Sequence, residues 1–220
     1  TAIQEDKMGL ISLLYTDPSS FVILSTCLIF SLCFHEFSHS ITAYYLGDDT
    51  SYRLGRTNLN PLNHLDPIGT LMILFIGFGW AKPVPVNTYN LRNPKIDMMK
   101  IAFAGPASNL LIAFLVLFIA EFFTLYEYSR IIVPLYWINV ALAVFNMLPI
   151  TPLDGSQIFN PIISKYNRNI ALFLSKNGPY ILLAIIMVSS ITNIPILSYI
   201  ITPVISLITN FFEGIISWII

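Results

Sequence analysis

Charge is what this sequence has least of. Of its 220 residues only 10% are Asp, Glu, Lys or Arg, against 55% hydrophobic. A soluble domain carries about 25% charged residues, so this chain cannot cover a water-facing surface with charge. The net charge of −1 supplies no basic face, which excludes nucleic acid as a partner. Cysteine is nearly absent. Cys27 and Cys33 fall in one apolar run, where a helix turns them to different faces and rules out a bridge. The opening residues lack the pattern of a cleavable signal peptide. TAIQEDK reads as a remnant ahead of a native start at Met8.

What the chain does have is a series of apolar blocks, each long enough to cross about 30 Å of hydrocarbon as a helix. The first runs from about Ser20 to Gly47, the second from Lys100 to about Ala120, and the third from about Ile131 toward Pro149. Two more cover Tyr180 to about Ile194 and Tyr199 to Ile220, with NPIISKYNRNIALFLSKNG before them as a loop or surface helix. Pro195 and Pro203 blur their limits. The apolar run Ile68–Trp80 is too short to span and fits a re-entrant segment. Tyr52 to Leu59 shows a β-like alternation, and AKPVPVNTYNLRNP favours extended backbone because its prolines exclude a regular helix. The expectation is an all-α membrane protein in a single domain over residues 1–220. Its core is a bundle of five to six transmembrane helices with a short re-entrant β-like element.

Basic residues place the ends. Arg53, Arg56, Lys82, Arg92, Lys95 and Lys100 gather between the first and second spans, and Lys165, Arg168 and Lys176 follow Asp154. By the positive-inside rule both regions are cytoplasmic. The run Ile68–Trp80 must then dip in and return, which favours five crossings over six.

Against this background SLCFHEFSHSITAYYLG is anomalous. Ionisable groups at membrane depth are costly and mark function. His35-Glu36-Phe37-Ser38-His39 is the H-E-x-x-H pattern, whose histidines share one helix face and can reach one tetrahedral zinc. Glu36 sits one helical step round, placed to take a proton from water without binding the metal. Ser31 and Thr42 extend the polar stripe, so this face looks into the bundle. A catalytic zinc needs a third protein ligand and one open position. Asp154, in PLDG at the broken end of the third span, is the preferred candidate, with His64 and Asp66 as alternatives. Gly155 would let the backbone turn there. Asn146, in the apolar stretch FNMLP, fits either interhelical packing or oxyanion stabilisation.

FHEFSHSITAYYLGD, NLNPLNHLDPIGT, GWAKPVPVN, AGPASNLL and FNMLPITPLDG, in this order, resemble the site-2 protease family of intramembrane zinc metalloproteases. They are most similar to its compact prokaryotic branch without a PDZ domain. The resemblance implies that His35, His39 and Asp154 hold one zinc, that Glu36 is the general base, and that Asn146 orients substrate or stabilises the oxyanion. It implies that Gly79 to Asn87 forms a re-entrant β-like loop beside the site. The expected substrate is a transmembrane protein within the lipid bilayer of a prokaryotic plasma membrane, with the active site toward the cytoplasmic side. Such a helix must unwind locally before hydrolysis, and PVPVN could pair with the unwound strand by β-addition. A zinc transporter, or a silent scaffold, is the alternative expectation.

Overall fold

Apolar residues at every turn leave each long segment only one way to satisfy its backbone in lipid, the continuous α-helix. The computed structural model describes residues 10–77, 79–125 and 128–220, and the expected start at Met8 lies outside them. A short helix α1 (Ile11–Thr16) leads into α2 (Pro18–Tyr45), whose first turn is capped by Asp17 accepting from the Ser20 N–H at 3.2 Å. After it come two single turns, α3 (Thr50–Arg53) and α4 (Pro61–His64), and the apolar helix α5 (Pro67–Ile76). Four long helices complete the bundle with one short one between them: α6 (Pro94–Phe122), α7 (Ser129–Asn146), α8 (Asp154–Tyr166), α9 (Arg168–Thr192) and α10 (Ile196–Ile219). Five of these, α2, α6, α7, α9 and α10, are long and apolar enough to cross a membrane.

The bundle centres on α6, which packs against α2 and α7 and also meets α8. Ala113 of α6, Tyr136, Val140 and Val144 of α7 and Phe212 of α10 form a buried apolar cluster. Outward-facing Leu111, Leu115 and Ile119 on α6 are exposed, as befits a lipid-facing stripe. Asn109 and Asn139 are fully buried between helices.

Three expectations about local structure change. Residues 52–59 hold no strand: Thr50–Arg53 is a helical turn tied by Arg53 to Asp49. The β-like element near the site is a single antiparallel bridge, Leu65 to Ala81, and no strand occurs among the described residues. The ninth helix begins at Arg168, well before Tyr180, because Asn167 accepts from the Asn169 and Ile170 N–H groups and caps it there. Pro179 lies inside that helix, and Pro106, Pro134 and Pro203 lie inside α6, α7 and α10. Membrane helices tolerate this because neighbours re-satisfy the freed backbone groups.

Residues 79–91 form an irregular strap beside α2. The Lys82 N–H donates to the His64 carbonyl at 2.7 Å, and the Arg56 guanidinium donates to the Lys82 carbonyl at 2.7 Å. Further along, the Asn87 N–H and the Asn90 amide donate to Asp48 at 2.7 and 2.8 Å.

Candidate metal centre

Helix α2 sets both histidines on one face because positions i and i+4 are one turn apart. His35 and His39 are 4% and 7% exposed, with ring centroids 4.6 Å apart and nearly perpendicular planes. From the opposite side comes Asp154, the first residue of α8. Its Oδ2 lies 3.0 Å from His35 Nε2 and 3.3 Å from His39 Nε2. The third element is α6. A Cβ on Gly105 would overlap both imidazoles, so only glycine lets α6 close over them. Gly155 serves a similar end beside Asp154. It is helical, not the turn residue expected, and a Cβ there would strike the carbonyls of Met147 and Leu148.

The protonation pattern follows from the partners of the other ring nitrogens. His39 Nδ1 lies 2.7 Å from the Ile101 carbonyl, which can only accept, so Nδ1 carries the proton. His35 Nδ1 lies 2.6 Å from Asn109 Oδ1. The Asn109 amide nitrogen is committed to Asn139 Oδ1 at 2.8 Å and to the Ser31 carbonyl at 3.3 Å, so its oxygen faces the histidine. With Nδ1 so engaged, the neutral form of each imidazole would turn a bare Nε2 lone pair toward the Asp154 carboxylate. Three acceptors converging in a buried site repel one another unless a cation lies among them. The two histidine–carboxylate separations lie close to the edge of a tetrahedron, about 3.3 Å for metal–ligand bonds of about 2.0–2.1 Å. The three ligand atoms all lie within 4.8 Å of one another, and the donor set fits a metal ion.

Glu36 is buried beside this trio, and its Oε2 accepts from the Val84 N–H of the strap at 3.2 Å. His64 and Asp66 stand apart from the cluster. His64 is fully buried with Nε2 on the Asn58 carbonyl at 2.6 Å, and Asp66 caps α5 by accepting from the Gly69 N–H. Asn146 ends α7, and its amide donates back to the Leu142 carbonyl at 3.0 Å.

Sequence reasoning missed Asn109 and Asn139. The Asn139 amide donates to Ser31 Oγ at 2.8 Å, and that hydroxyl donates to the Cys27 carbonyl at 2.7 Å. The chain Cys27–Ser31–Asn139–Asn109–His35 thus crosses three helices to reach one candidate ligand. The stretch AGPASN held the available signal: an amide three residues beyond the glycine–proline pair in an apolar helix.

A bundle of apolar helices enclosing an H-E-x-x-H pair and an aspartate defines a membrane protein with a metallopeptidase-type centre. The pattern of peptidase family M50 matches residues 123–189, a range that includes Asn146 and Asp154. Several relatives carry the printed name "Putative zinc metalloprotease", three of them as follows. YwhC of Bacillus subtilis is 40% identical over 163 residues, covering 68% of this chain and 73% of its own. Rip2 of Mycolicibacterium smegmatis is 28% identical over 79% of this chain and 69% of its own. MJ0611 of Methanocaldococcus jannaschii is 32% identical over 59% and 66%. No solved structure matches. The chain belongs to peptidase family M50, the site-2 protease family of membrane metalloproteases.

Proposed function

We propose that this chain is an intramembrane zinc metalloendopeptidase that hydrolyses peptide bonds within, or at the edge of, transmembrane segments of other proteins. The observation that carries the proposal is the convergence of His35 Nε2, His39 Nε2 and Asp154 Oδ2, three atoms of metal-ligating type brought together beside the buried Glu36. Three protein ligands leave one tetrahedral position for water or substrate, the pattern of catalytic rather than structural zinc. When bound, zinc supplies polarisation of the scissile carbonyl and acidification of water toward a pKa of about 7.

The residues divide the remaining work. His35, His39 and Asp154 hold the ion. Glu36 accepts the proton of the attacking water and returns it to the departing amide nitrogen. The Val84 N–H fixes one Glu36 oxygen at 3.2 Å, leaving the other to face the reaction. Asn146 gives one amide N–H to the Leu142 carbonyl and keeps its second for a developing oxyanion. Pairing of an unwound substrate strand with the strap has fewer donors to use than the sequence suggests. The N–H groups of Lys82, Val84 and Asn87 are already committed, which leaves mainly carbonyls and Val86.

The test separates proton transfer from metal binding. Glu36→Gln keeps the side-chain shape and loses the basic oxygen. Zinc content should be unchanged, while cleavage of a single-span substrate in detergent falls at least about 100-fold, the low end for losing a general base. Undiminished cleavage would remove Glu36 from the mechanism. Loss of zinc would make it a ligand instead. A transporter or scaffold would cleave nothing in either form.

A further inference from the structure

We propose that the cleft between the start of α6, α8 and the start of α9 binds a phosphate-bearing anion, of the kind presented by an anionic lipid headgroup. The cleft has a volume of about 410 Å³, and its walls include Lys95, Ser156, Gln157, Asn160, Ser164 and Arg168. No Asp or Glu lines it. Lys95 and Arg168 form no ion pair among the described residues. The acids nearest in sequence are spoken for. Asp97 holds Lys100 at 3.0 Å and the Asn93 N–H at 2.8 Å, and Asp154 faces the two imidazoles. Two cations thus share a cleft with no counter-charge of the protein's own.

The neutral groups add acceptors and donors. Ser156 lines the cleft, and its hydroxyl makes no hydrogen bond among the described residues. Asn160 gives its amide to Ser175 Oγ at 3.0 Å, and its Oδ1 is buried with no partner. A hydroxyl donor facing a phosphate oxygen, and an amide acceptor for a headgroup hydroxyl, would satisfy both. Position favours a lipid source. Lys95 and Arg168 lie in the first turns of two candidate membrane spans, Pro94–Phe122 and Arg168–Thr192, where hydrocarbon gives way to water. Basic pockets between transmembrane helices at that level recognise anionic headgroups.

The site does not depend on the proposed proteolysis, and its test reads lipid, not cleavage. The full chain is reconstituted in phosphatidylcholine nanodiscs containing phosphatidylglycerol, and retained phosphatidylglycerol is counted by native mass spectrometry after extraction. The double variant Lys95→Gln/Arg168→Gln should bind it about 10- to 30-fold more weakly, the effect of two near-surface cations. Both side chains are exposed, so the change opens no core. Lys176→Gln, an exposed cation of α9 that does not line the cleft, should retain the lipid as the parent does. Equal retention by the double variant, or equal loss in Lys176→Gln, would overturn the site. Millimolar inorganic phosphate forms the second arm. Displacement by it, in the parent but not in the double variant, would support the same site with a water-soluble phosphate as its occupant.

Discussion

An amide buried at mid-helix has two donors and an acceptor to satisfy, and Asn109 uses all three to hold one histidine. Its oxygen takes the His35 Nδ1 proton, and its nitrogen spans Asn139 and the Ser31 carbonyl. A hydrogen bond of this kind fixes the tautomer that presents Nε2 to a metal. Asn109→Ala should therefore weaken zinc binding about 10–100-fold, read by competition with a chelator. Asn109→Gln should not restore it, because one added methylene displaces the oxygen; unchanged affinity in the alanine form would reduce Asn109 to packing. The third-ligand assignment is tested at the same scale. Asp154→Ala should lower zinc occupancy, whereas His64→Ala should keep it and loosen the loop that His64 pins to Asn58. The reverse result would transfer the ligand role. His35, Glu36 and His39 were legible in the sequence because one helical turn carries the pattern. Asn109 was not, since nothing in the sequence pairs it with His35, and a lone amide in a span reads as packing.

At the scale of elements, the strap over Glu36 depends on Asp48. This carboxylate is fully buried at the end of α2 and accepts from the Thr50 N–H and hydroxyl, the Asn87 N–H and the Asn90 amide. Burial alone would raise its pKa, but these donors together hold it below the ordinary carboxylate value. A depressed folded pKa adds stability that is complete above the unfolded value of about 3.9 and lost as pH falls through the lower folded value. Hydrogen exchange of residues 84–91 should therefore keep the same protection at pH 5 as at pH 7. Asp48→Ala should raise exchange at Asn87 about tenfold or more at neutral pH, since a hydrogen bond to a charged group contributes about 1.5–3 kcal/mol. Protection lost already at pH 5 would contradict the Asp48 anchor. The prolines of the strap rightly excluded an α-helix over residues 82–87, although Thr88–Asn90 closes a single 3-10 turn where extended backbone was expected. Pro203, which blurred the limit of the last span, lies inside α10 and ends nothing, because packed neighbours in a membrane bundle re-satisfy the freed backbone groups.

For the whole molecule, the question is which ends share a compartment. Helix α5 has ten residues, about 15 Å at 1.5 Å per residue, roughly half the hydrocarbon thickness. It cannot carry the chain across, so the end of α2 and the start of α6 must lie on the same side. The five candidate spans then alternate, with α8 and the start of α9 returning to that side and residue 128 on the other. Single cysteines report this when an impermeant maleimide is added to inside-out or right-side-out vesicles. Ser51 is fully buried and would not report, whereas Tyr52, Tyr89, Tyr166 and Tyr128 are 58%, 95%, 89% and 59% exposed. Cys27 and Cys33 are buried and should stay silent. Tyr52→Cys, Tyr89→Cys and Tyr166→Cys should label from one face, the cytoplasmic one by the positive-inside rule, and Tyr128→Cys from the other. Labelling of Tyr52→Cys and Tyr89→Cys from opposite faces would mean that α5 crosses after all. The bundle would then have six crossings, and the strap could not lie beside Glu36 as it does.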